Sequence, residues 1–250
     1  MPKTNDVALI TGAATGVGRA TAIRFAREGF DVVVNYLGPE QSAAEATVLA
    51  VQVESQQAIA IQGDVSQDAE VQQIVARCAD HFGRLDVVVN CAGTTRFVEH
   101  ADLESMTESA WDEILAVNTK GPFFVVRASV PLLKQAPNAA IVNVSSVAGI
   151  SGFGSSIAYC ASKGALNTMT KSLARALAPE IRVNAVCPGP IDSRWLRDGM
   201  TEKQIQQRIA SFPIPRLAQP DDIADAIFYL ARGTSLTTGQ LLVVDGGRTM

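Results

Sequence analysis

Short runs of Val, Ile and Leu recur along the chain, with helical stretches between them. Seven such runs occupy residues 7–10, 32–34, 58–61, 85–89, 141–144, 183–186 and 241–244. The runs lack the in/out alternation of a half-exposed strand, which is typical of parallel strands covered on both faces. Because strand and helix signals alternate over the whole length without a linker, the pattern predicts one α/β domain over residues 1–250. That domain is doubly wound, with about seven parallel strands and helices on both faces.

The first strand is followed by a glycine-rich loop, Thr11-Gly-Ala-Ala-Thr-Gly-Val-Gly18, and then by a helix predicted from Val17 to Glu28. Glycines allow a tight turn and let backbone N–H groups approach a pyrophosphate at the positive end of a helix. The spacing G-x-x-x-G-x-G differs from the commonest dinucleotide fingerprint. A glycine-rich turn without a ligand is the alternative, but the position favours a dinucleotide site.

The next two strand ends bear on which dinucleotide would bind. Asn35 closes the second strand where an acidic residue would bind the ribose 2′-hydroxyl of NAD. Since no carboxylate is there to repel a 2′-phosphate, the sequence favours NADP(H) over NAD(H). Asp64 follows the third strand and is a candidate partner for the adenine amino group. Its alternative role is to cap the helix that begins near Gln67.

The fourth strand ends at Asn90-Cys-Ala-Gly93, and its small residues leave room for a cofactor across the strand ends. Ligands of open α/β sheets bind at those carboxyl ends. A long helix is predicted from Thr107 to Leu133 with Asn118 inside it, and an asparagine amide competes with helical hydrogen bonds. Gly121-Pro122 just beyond predicts a kink or local disruption. Asn118 pointing simply to solvent is the alternative.

The fifth strand delivers Ser145-Ser146 to the same edge, and the next helix, capped by Ser155 or Ser156, carries Tyr159 and Lys163. Residues four apart share one helix face. A nearby ammonium favours a phenolate and lowers the pKa of a tyrosine, so the pair is suited to proton transfer with a carbonyl or alcohol oxygen. The alternative is a half-buried tyrosine beside a solvated lysine.

The sixth strand ends in a stiff bend over residues 187–193, which holds two prolines and a glycine. The irregular stretch over 193–215 contains Trp195, Met200 and Phe212, and it is predicted to be a substrate lid. These large apolar side chains are equally compatible with an ordinary core position.

Composition excludes several classes of function. The net charge of −4 argues against a nucleic-acid-binding surface. The four cysteines form no C-x-x-C pair and only two histidines are present, so no metal site is expected. Reduced thiols and no room for a signal peptide before the first strand indicate a cytoplasmic protein. The uncharged stretch 135–162 is too rich in serine, glycine and asparagine to span a membrane.

Together these elements resemble the short-chain dehydrogenase/reductase family, and the resemblance covers essentially the whole chain. The matching motifs are Thr11-Gly-x-x-x-Gly-x-Gly18, Asp64, Asn90-Cys-Ala-Gly93, Asn118, Ser146, Tyr159-x-x-x-Lys163, Pro188-Gly189, Thr238-Gly-Gln240 and Asp245-Gly-Gly247. The last two fit the subgroup of β-ketoacyl-carrier-protein reductases and sugar or polyol dehydrogenases. One departure is Cys91, where the family often has a second asparagine; a small thiol is expected to fit.

The resemblance implies a Rossmann-type fold and assigns roles at the catalytic end. Tyr159 would be the general acid/base and Ser146 would position and polarise the substrate oxygen, with Ser145 the less favoured serine. Lys163 would bind the nicotinamide ribose and lower the tyrosine pKa, while Asn118 would hold a water that links the lysine to solvent. Ser146 and Tyr159 are thus the expected substrate contacts.

The resemblance also assigns the cofactor contacts. Besides the tyrosine and lysine these are Gly12, Ala14, Thr15, Gly16, Val17, Gly18, Asn35, Asp64, Val65, Asn90, Ala92, Gly93, Pro188, Gly189, Ile191 and Ser193. Ser193 replaces the threonine often found there.

The implied activity is hydride transfer between NAD(P)(H) and a ketone or secondary alcohol, with a 3-oxoacyl thioester as the first substrate to try. A non-catalytic dinucleotide-binding sensor is the alternative. A homotetramer is expected from the family and from the small residues Ala161, Gly164 and Ala165 on one helix face.

Overall fold

Seven parallel strands form the centre of the molecule, in a computed structural model that describes residues 5–250. The strands are β1 Val7–Ile10, β2 Asp31–Tyr36, β3 Ala58–Gln62, β4 Val87–Asn90, β5 Ala139–Val144, β6 Ile181–Pro188 and β7 Leu241–Val244. Their order in the sheet is β3-β2-β1-β4-β5-β6-β7. The strand order reverses direction between β1 and β4, and such a switch point opens a crevice at the carboxyl ends of the strands. The predicted doubly wound sheet is confirmed.

Alternate residues of each strand enter two separate hydrophobic cores, one on each face of the sheet. In β1, Ala8 and Ile10 belong to one core, whereas Val7 and Leu9 belong to the other. All four side chains are at most 1 % exposed. This double burial is the physical reason why the strands read as continuous apolar runs.

Ten α-helices are described in residues 5–250. They are α1 Gly16–Arg27, α2 Gln41–Val53, α3 Asp68–Phe82, α4 Glu108–Leu115, α5 Gly121–Leu133, α6 Ala148–Ser151, α7 Ile157–Leu177, α8 Arg194–Gly199, α9 Glu202–Ile209 and α10 Pro220–Phe228. Helices α1, α2 and α10 supply residues to the first core, and α3, α5 and α7 to the second. Among the described residues, none of the helices is long and apolar enough to cross a membrane.

The long helix predicted over residues 107–133 is interrupted, as Asn118 and Gly121-Pro122 indicated. A π-helical turn, Ala116–Lys120, separates α4 from α5. The turn contains Asn118, and the N–H of Gly121 donates to the carbonyl of Ala116, five residues back. The predicted local disruption is confirmed, and it brings Asn118 into the protein interior, where it is fully buried.

Candidate active site

A cleft of about 760 Å³ runs along the carboxyl edge of the sheet. The glycine-rich loop and the loops after β4, β5 and β6 line it. Of the predicted site residues, the cleft is lined by Gly12, Thr15, Gly16, Val17, Gly18, Ala92, Gly93, Ser146, Tyr159, Lys163, Pro188, Gly189, Ile191 and Ser193. The parallel strands therefore bring most of the predicted residues to one place.

Tyr159 lies in the first turn of α7, where it is half-buried. Its backbone N–H donates to the Ser156 hydroxyl at 3.2 Å, so Ser156 is the helix cap. Burial raises the pKa of the Tyr159 phenol to about 12, and the nearby Ser146 hydroxyl opposes that rise. At neutral pH the phenol is therefore protonated and ready to donate to an oxygen. Ser146 is also half-buried in the cleft, and its Oγ accepts a hydrogen bond from the N–H of Ala148 at 3.1 Å.

Lys163 is buried, with only 5 % of its surface exposed. Its Nζ donates to the carbonyl oxygen of Val144 at 2.9 Å and lies 5.7 Å from the centre of the Tyr159 ring. Burial lowers the pKa of the Lys163 ammonium to about 8, and the nearby thiols of Cys91 and Cys187 oppose that shift. The ammonium is thus mostly charged at pH 7 and loses its charge over a range close to neutrality.

The expectation that Lys163 lowers the pKa of Tyr159 is not met in this structure. The opposing influence on the phenol comes from Ser146, while burial outweighs it and the neighbouring Cys160 adds to the rise. The lysine instead binds the end of β5 through Val144. Spacing along a helix identified the pair but could not reveal how far packing would remove each group from water.

The glycine-rich loop is shaped to admit an anion at the start of α1. Gly12 has a φ of +61°, and a Cβ there would lie 2.9 Å from Ala92. A Cβ on Gly18 would lie 2.2 Å from the Gly12 carbonyl oxygen, so this turn requires glycine at both positions. Thr15 caps α1 in an extended conformation without a side-chain cap bond, and the first turn carries no acidic residue. The loop therefore fits a pyrophosphate at the positive end of the helix.

Two asparagines that were expected to contact the cofactor have side chains that form hydrogen bonds within the sheet. The Asn35 amide is 1 % exposed and donates to the carbonyl oxygens of Ile61 at 3.3 Å and Gly63 at 3.0 Å. The Asn90 amide donates to the Asn143 side chain at 2.9 Å, which joins β4 to β5. Neither residue lines the cleft. Both amides are bonded within the sheet, and a contact of either residue with the cofactor stays a prediction.

Asp64, Val65 and Ala14 also lie outside the lining of the cleft. Asp64 Oδ1 accepts the N–H of Ser66 at 2.8 Å, in the turn that precedes α3, while Gln67 takes the N-cap position. Val65 is buried, and a Cβ on Gly121 would meet it at 3.0 Å. Asp64 thus organises a turn before the helix, and its role toward adenine stays a prediction.

The side chain of Asn118 forms hydrogen bonds with residues next to the site. Its Oδ1 accepts the N–H of Thr94 at 2.8 Å, and its amide donates to the Thr94 carbonyl at 2.9 Å and to the Ser162 hydroxyl at 3.1 Å. The side chain thereby fastens the chain after β4 to α7. Its backbone carbonyl would be paired in a regular helix with the N–H four residues on, but that residue is Pro122, which has none.

The segment predicted as a lid contains α8 and α9 and has a small apolar core of its own. Leu196 and Met200 pack against that core, which consists of Ile205, Ile209, Phe212 and Leu217. The three large apolar residues named for the lid occupy different places. Met200 lines the cleft and Phe212 is buried in the small core, whereas the side chain of Trp195 lies outside the described part of the chain.

The loop after Gly93 supplies cleft residues that the sequence reasoning missed. One of these is Phe97, which packs against Gly199 of α8. A Cβ on Gly199 would lie only 2.9 Å from two carbons of the Phe97 ring. Phe153, Glu40 and Arg248 also line the cleft. The position of the loop directly after a strand end was a usable signal for Phe97. No comparable signal marked Arg248, which is close to the C-terminus.

Comparison with known proteins shows similarity over nearly the full length. A family model described as enoyl-(acyl carrier protein) reductase, of the short-chain alcohol dehydrogenase type, matches residues 12–249. Ketoacyl reductase 2, assigned to the granaticin polyketide synthase of Streptomyces violaceoruber, is 40 % identical over 242 residues, covering 96 % of this chain and 95 % of that protein. The 3-oxoacyl-(acyl-carrier-protein) reductase of Staphylococcus aureus is 37 % identical over 250 residues, covering 99 % and 100 %.

Two solved structures share the fold. One, described as a short-chain dehydrogenase/reductase of Burkholderia xenovorans, superposes with a TM-score of 0.93 at 36 % identity and covers 98 % of both chains. The other is a blue fluorescent protein from a metagenomic library, solved in complex with NADPH. It superposes with a TM-score of 0.88 at 30 % identity and also covers 98 % of both chains.

Proposed function

The chain belongs to the short-chain dehydrogenase/reductase family, and on that premise we propose that it reduces 3-oxoacyl thioesters with NADPH. As a member it is an NAD(P)(H)-dependent oxidoreductase that acts on ketones or secondary alcohols. The observation that carries the proposal is that the hydroxyl groups of Ser146 and Tyr159 line the same cleft, with the Lys163 ammonium beside the tyrosine ring. Two hydroxyl donors on one side of a cleft suit a carbonyl oxygen.

In the proposed reaction Tyr159 donates its proton to the ketone oxygen while Ser146 holds that oxygen in place by a hydrogen bond. The neutral phenol, with its pKa raised by burial, is the protonation state that reduction requires. When bound, the reduced nicotinamide supplies the hydride to the carbonyl carbon. The product is a secondary alcohol, and Tyr159 is left as a phenolate that must recover a proton.

Lys163 and Asn118 would return that proton. The Lys163 ammonium is mostly protonated at pH 7, so it would be the proton donor on this path. Asn118 is buried in the π-helical turn beside α7, and we assign to its backbone carbonyl the role of holding a water there. These roles support a proton path from Tyr159 through Lys163 to solvent. Lys163 would also bind the nicotinamide ribose.

We assign the cofactor to the part of the cleft that contains Gly12, Thr15, Gly16 and the residues around Gly93 and Gly189. NADP(H) is supported by the NADPH bound to the similar blue fluorescent protein. The end of β2 carries no carboxylate to repel a 2′-phosphate. Glu40, which lines the same cleft, is the reason to expect only a modest preference over NAD(H).

A ketoacyl substrate is supported by the two similar reductases of ketoacyl compounds and by the apolar side chains of the cleft. Phe97, Phe153, Leu196 and Met200 line the cleft, and the last two belong to the proposed lid, residues 193–215. An acyl chain fits such a wall.

A homotetramer and a cytoplasmic location stay predictions from the sequence. Gly164 of the small-residue face packs within this chain, because a Cβ there would lie 3.5 Å from the Gly149 carbonyl oxygen of α6.

The test is an assay of acetoacetyl-N-acetylcysteamine reduction, with NADPH and NADH oxidation measured in parallel. We expect turnover with both cofactors and a higher kcat/KM with NADPH. Crotonyl-N-acetylcysteamine is the control substrate, because the matching family model is described as an enoyl reductase. Activity on the crotonyl thioester alone would replace ketone reduction with alkene reduction. Tight NADPH binding without turnover on any carbonyl compound would instead identify a dinucleotide sensor.

A further inference from the structure

Ser146 lies in a short segment that is held against one face of α7 at several points. On its N-terminal side, Lys163 Nζ binds the Val144 carbonyl at 2.9 Å. The Ser145 hydroxyl, 4 % exposed, donates to the backbone carbonyl of Lys163 at 3.3 Å. In the part of the chain that the structure describes, the backbone of Ser146 makes no hydrogen bond to α7, so its position depends on its neighbours.

Asn167, one turn after Lys163 on the same face, completes this set of bonds. Its Oδ1 accepts the Ser145 hydroxyl at 2.6 Å and the Cys187 thiol at 3.7 Å. Its amide donates to the carbonyl oxygen of Gly149 at 3.2 Å. Asn167 is 6 % exposed and does not line the cleft, so it is placed to act through other residues rather than on a ligand.

We propose that Asn167 is a positioning residue, which fixes the Ser146 hydroxyl relative to Tyr159 by binding the chain on both sides of Ser146. This inference rests on the proposed ketone reduction. The two bonds enclose Ser146 between residues 145 and 149, and the helix that makes them also carries Tyr159. The distance between the two hydroxyl groups is therefore set by one rigid element.

Only a carboxamide satisfies both sides of this arrangement. Its oxygen accepts a hydrogen bond from the Ser145 hydroxyl while its NH2 group donates one to the Gly149 carbonyl. Leucine, of similar size, would leave the Ser145 hydroxyl with only its longer 3.3 Å bond to the Lys163 carbonyl and would remove the amide that donates to the Gly149 carbonyl. A carboxylate would accept but not donate.

The first test compares Asn167→Leu with Asn184→Leu. Asn184 is a matched control, since it is fully buried and also makes two backbone bonds, from Nδ2 to Thr237 O and from Gln240 N to its Oδ1. We expect Asn167→Leu to lower kcat for ketone reduction about 10-fold or more, as a displaced reacting group does. The NADPH Kd, read from cofactor fluorescence, should stay within about threefold. Asn184→Leu should lower Tm without lowering kcat per folded molecule.

A double variant shows whether the loss runs through the 2.6 Å bond. Ser145→Ala and Asn167→Leu remove the same contact, so the double variant should be little worse than Asn167→Leu alone. Fully additive losses, or an Asn167→Leu enzyme with normal kcat and only a lowered Tm, would overturn the positioning role.

A second readout needs no turnover and separates this inference from the proposed function. Carbon-13 NMR of labelled lysines follows the titration of Lys163, identified through Lys163→Arg, among the six lysines of the chain. Cys91, Cys187 and Tyr159 are the titratable groups facing it. Loosening segment 144–149 should admit water and move the Lys163 midpoint upward by about half a unit or more. An unchanged midpoint in Asn167→Leu contradicts the inference even if the wild-type protein reduces no ketone.

Discussion

A methyl group added at Gly149 provides a direct test of how closely α6 must approach α7. In the structure a Cβ at this position would lie 2.4 Å from the Lys163 carbonyl carbon and 2.6 Å from the Gly164 nitrogen. Both neighbours are backbone atoms of a long helix, so they cannot rotate aside. Ordinary contact requires a displacement of α6 by about 1 Å. That shift would carry Ser146 away from Tyr159, because α6 begins two residues after Ser146.

We expect Gly149→Ala to cost about 1–3 kcal/mol of unfolding free energy, the usual range for overpacking. A misplacement of about 1 Å is expected to lower kcat by roughly 10²-fold. The assays are thermal unfolding and initial rates of ketone reduction. Gly164→Ala is the matched control on the facing helix, since its Cβ would make an ordinary 3.5 Å contact with the Gly149 carbonyl oxygen. Equal rates for the two variants would refute the close-approach argument.

Three further outcomes follow from the structure. The kcat/KM for reduction should be level below pH 7 and fall as pH rises through about 8, since the Lys163 ammonium with its lowered pKa loses its charge there; a flat profile to pH 10 would contradict this. Gly199→Ala should raise the substrate KM, and adding Phe97→Leu should restore it, because the new methyl meets the Phe97 ring; a KM unaffected by Phe97→Leu would show that the ring is not responsible. Asp86→Ala should destabilise the fold by about 3–5 kcal/mol, seen by urea unfolding, because the 1 % exposed carboxylate pairs with Arg84 at 2.6 Å; a loss under about 1 kcal/mol would show that the pair behaves like a surface ion pair.

The sheet was predictable because both of its faces are buried. Every apolar run became a strand, and β1 and β7 have the predicted limits, Val7–Ile10 and Leu241–Val244. Polar ends were harder to place. β2 extends from Asp31 to Tyr36 and β6 from Ile181 to Pro188, so both include polar or helix-breaking residues that hydropathy alone does not assign to strands.

The location of the site could be predicted from the sequence, but its individual side-chain contacts could be predicted less well. The carboxyl ends of parallel strands converge, and so the loops could be brought to one edge from the sequence alone. Which side chains leave that edge depends on strand pleat and on neighbouring residues, and the sequence did not reveal that the amides of Asn35 and Asn90 bond within the sheet. The pKa of Tyr159 could not be foreseen either, because burial is a property of the packed chain.

The central claim is that Tyr159 supplies the proton for ketone reduction, and Tyr159→Phe tests it most directly. The phenylalanine ring keeps the packing of α7 and removes only the hydroxyl. Rates of acetoacetyl-N-acetylcysteamine reduction should be measured beside the NADPH Kd, from cofactor fluorescence. We predict a fall in kcat of at least ~10²-fold, typical of a lost general acid, with cofactor binding retained. Turnover close to wild type in Tyr159→Phe, with the same substrate and cofactor, would contradict the account.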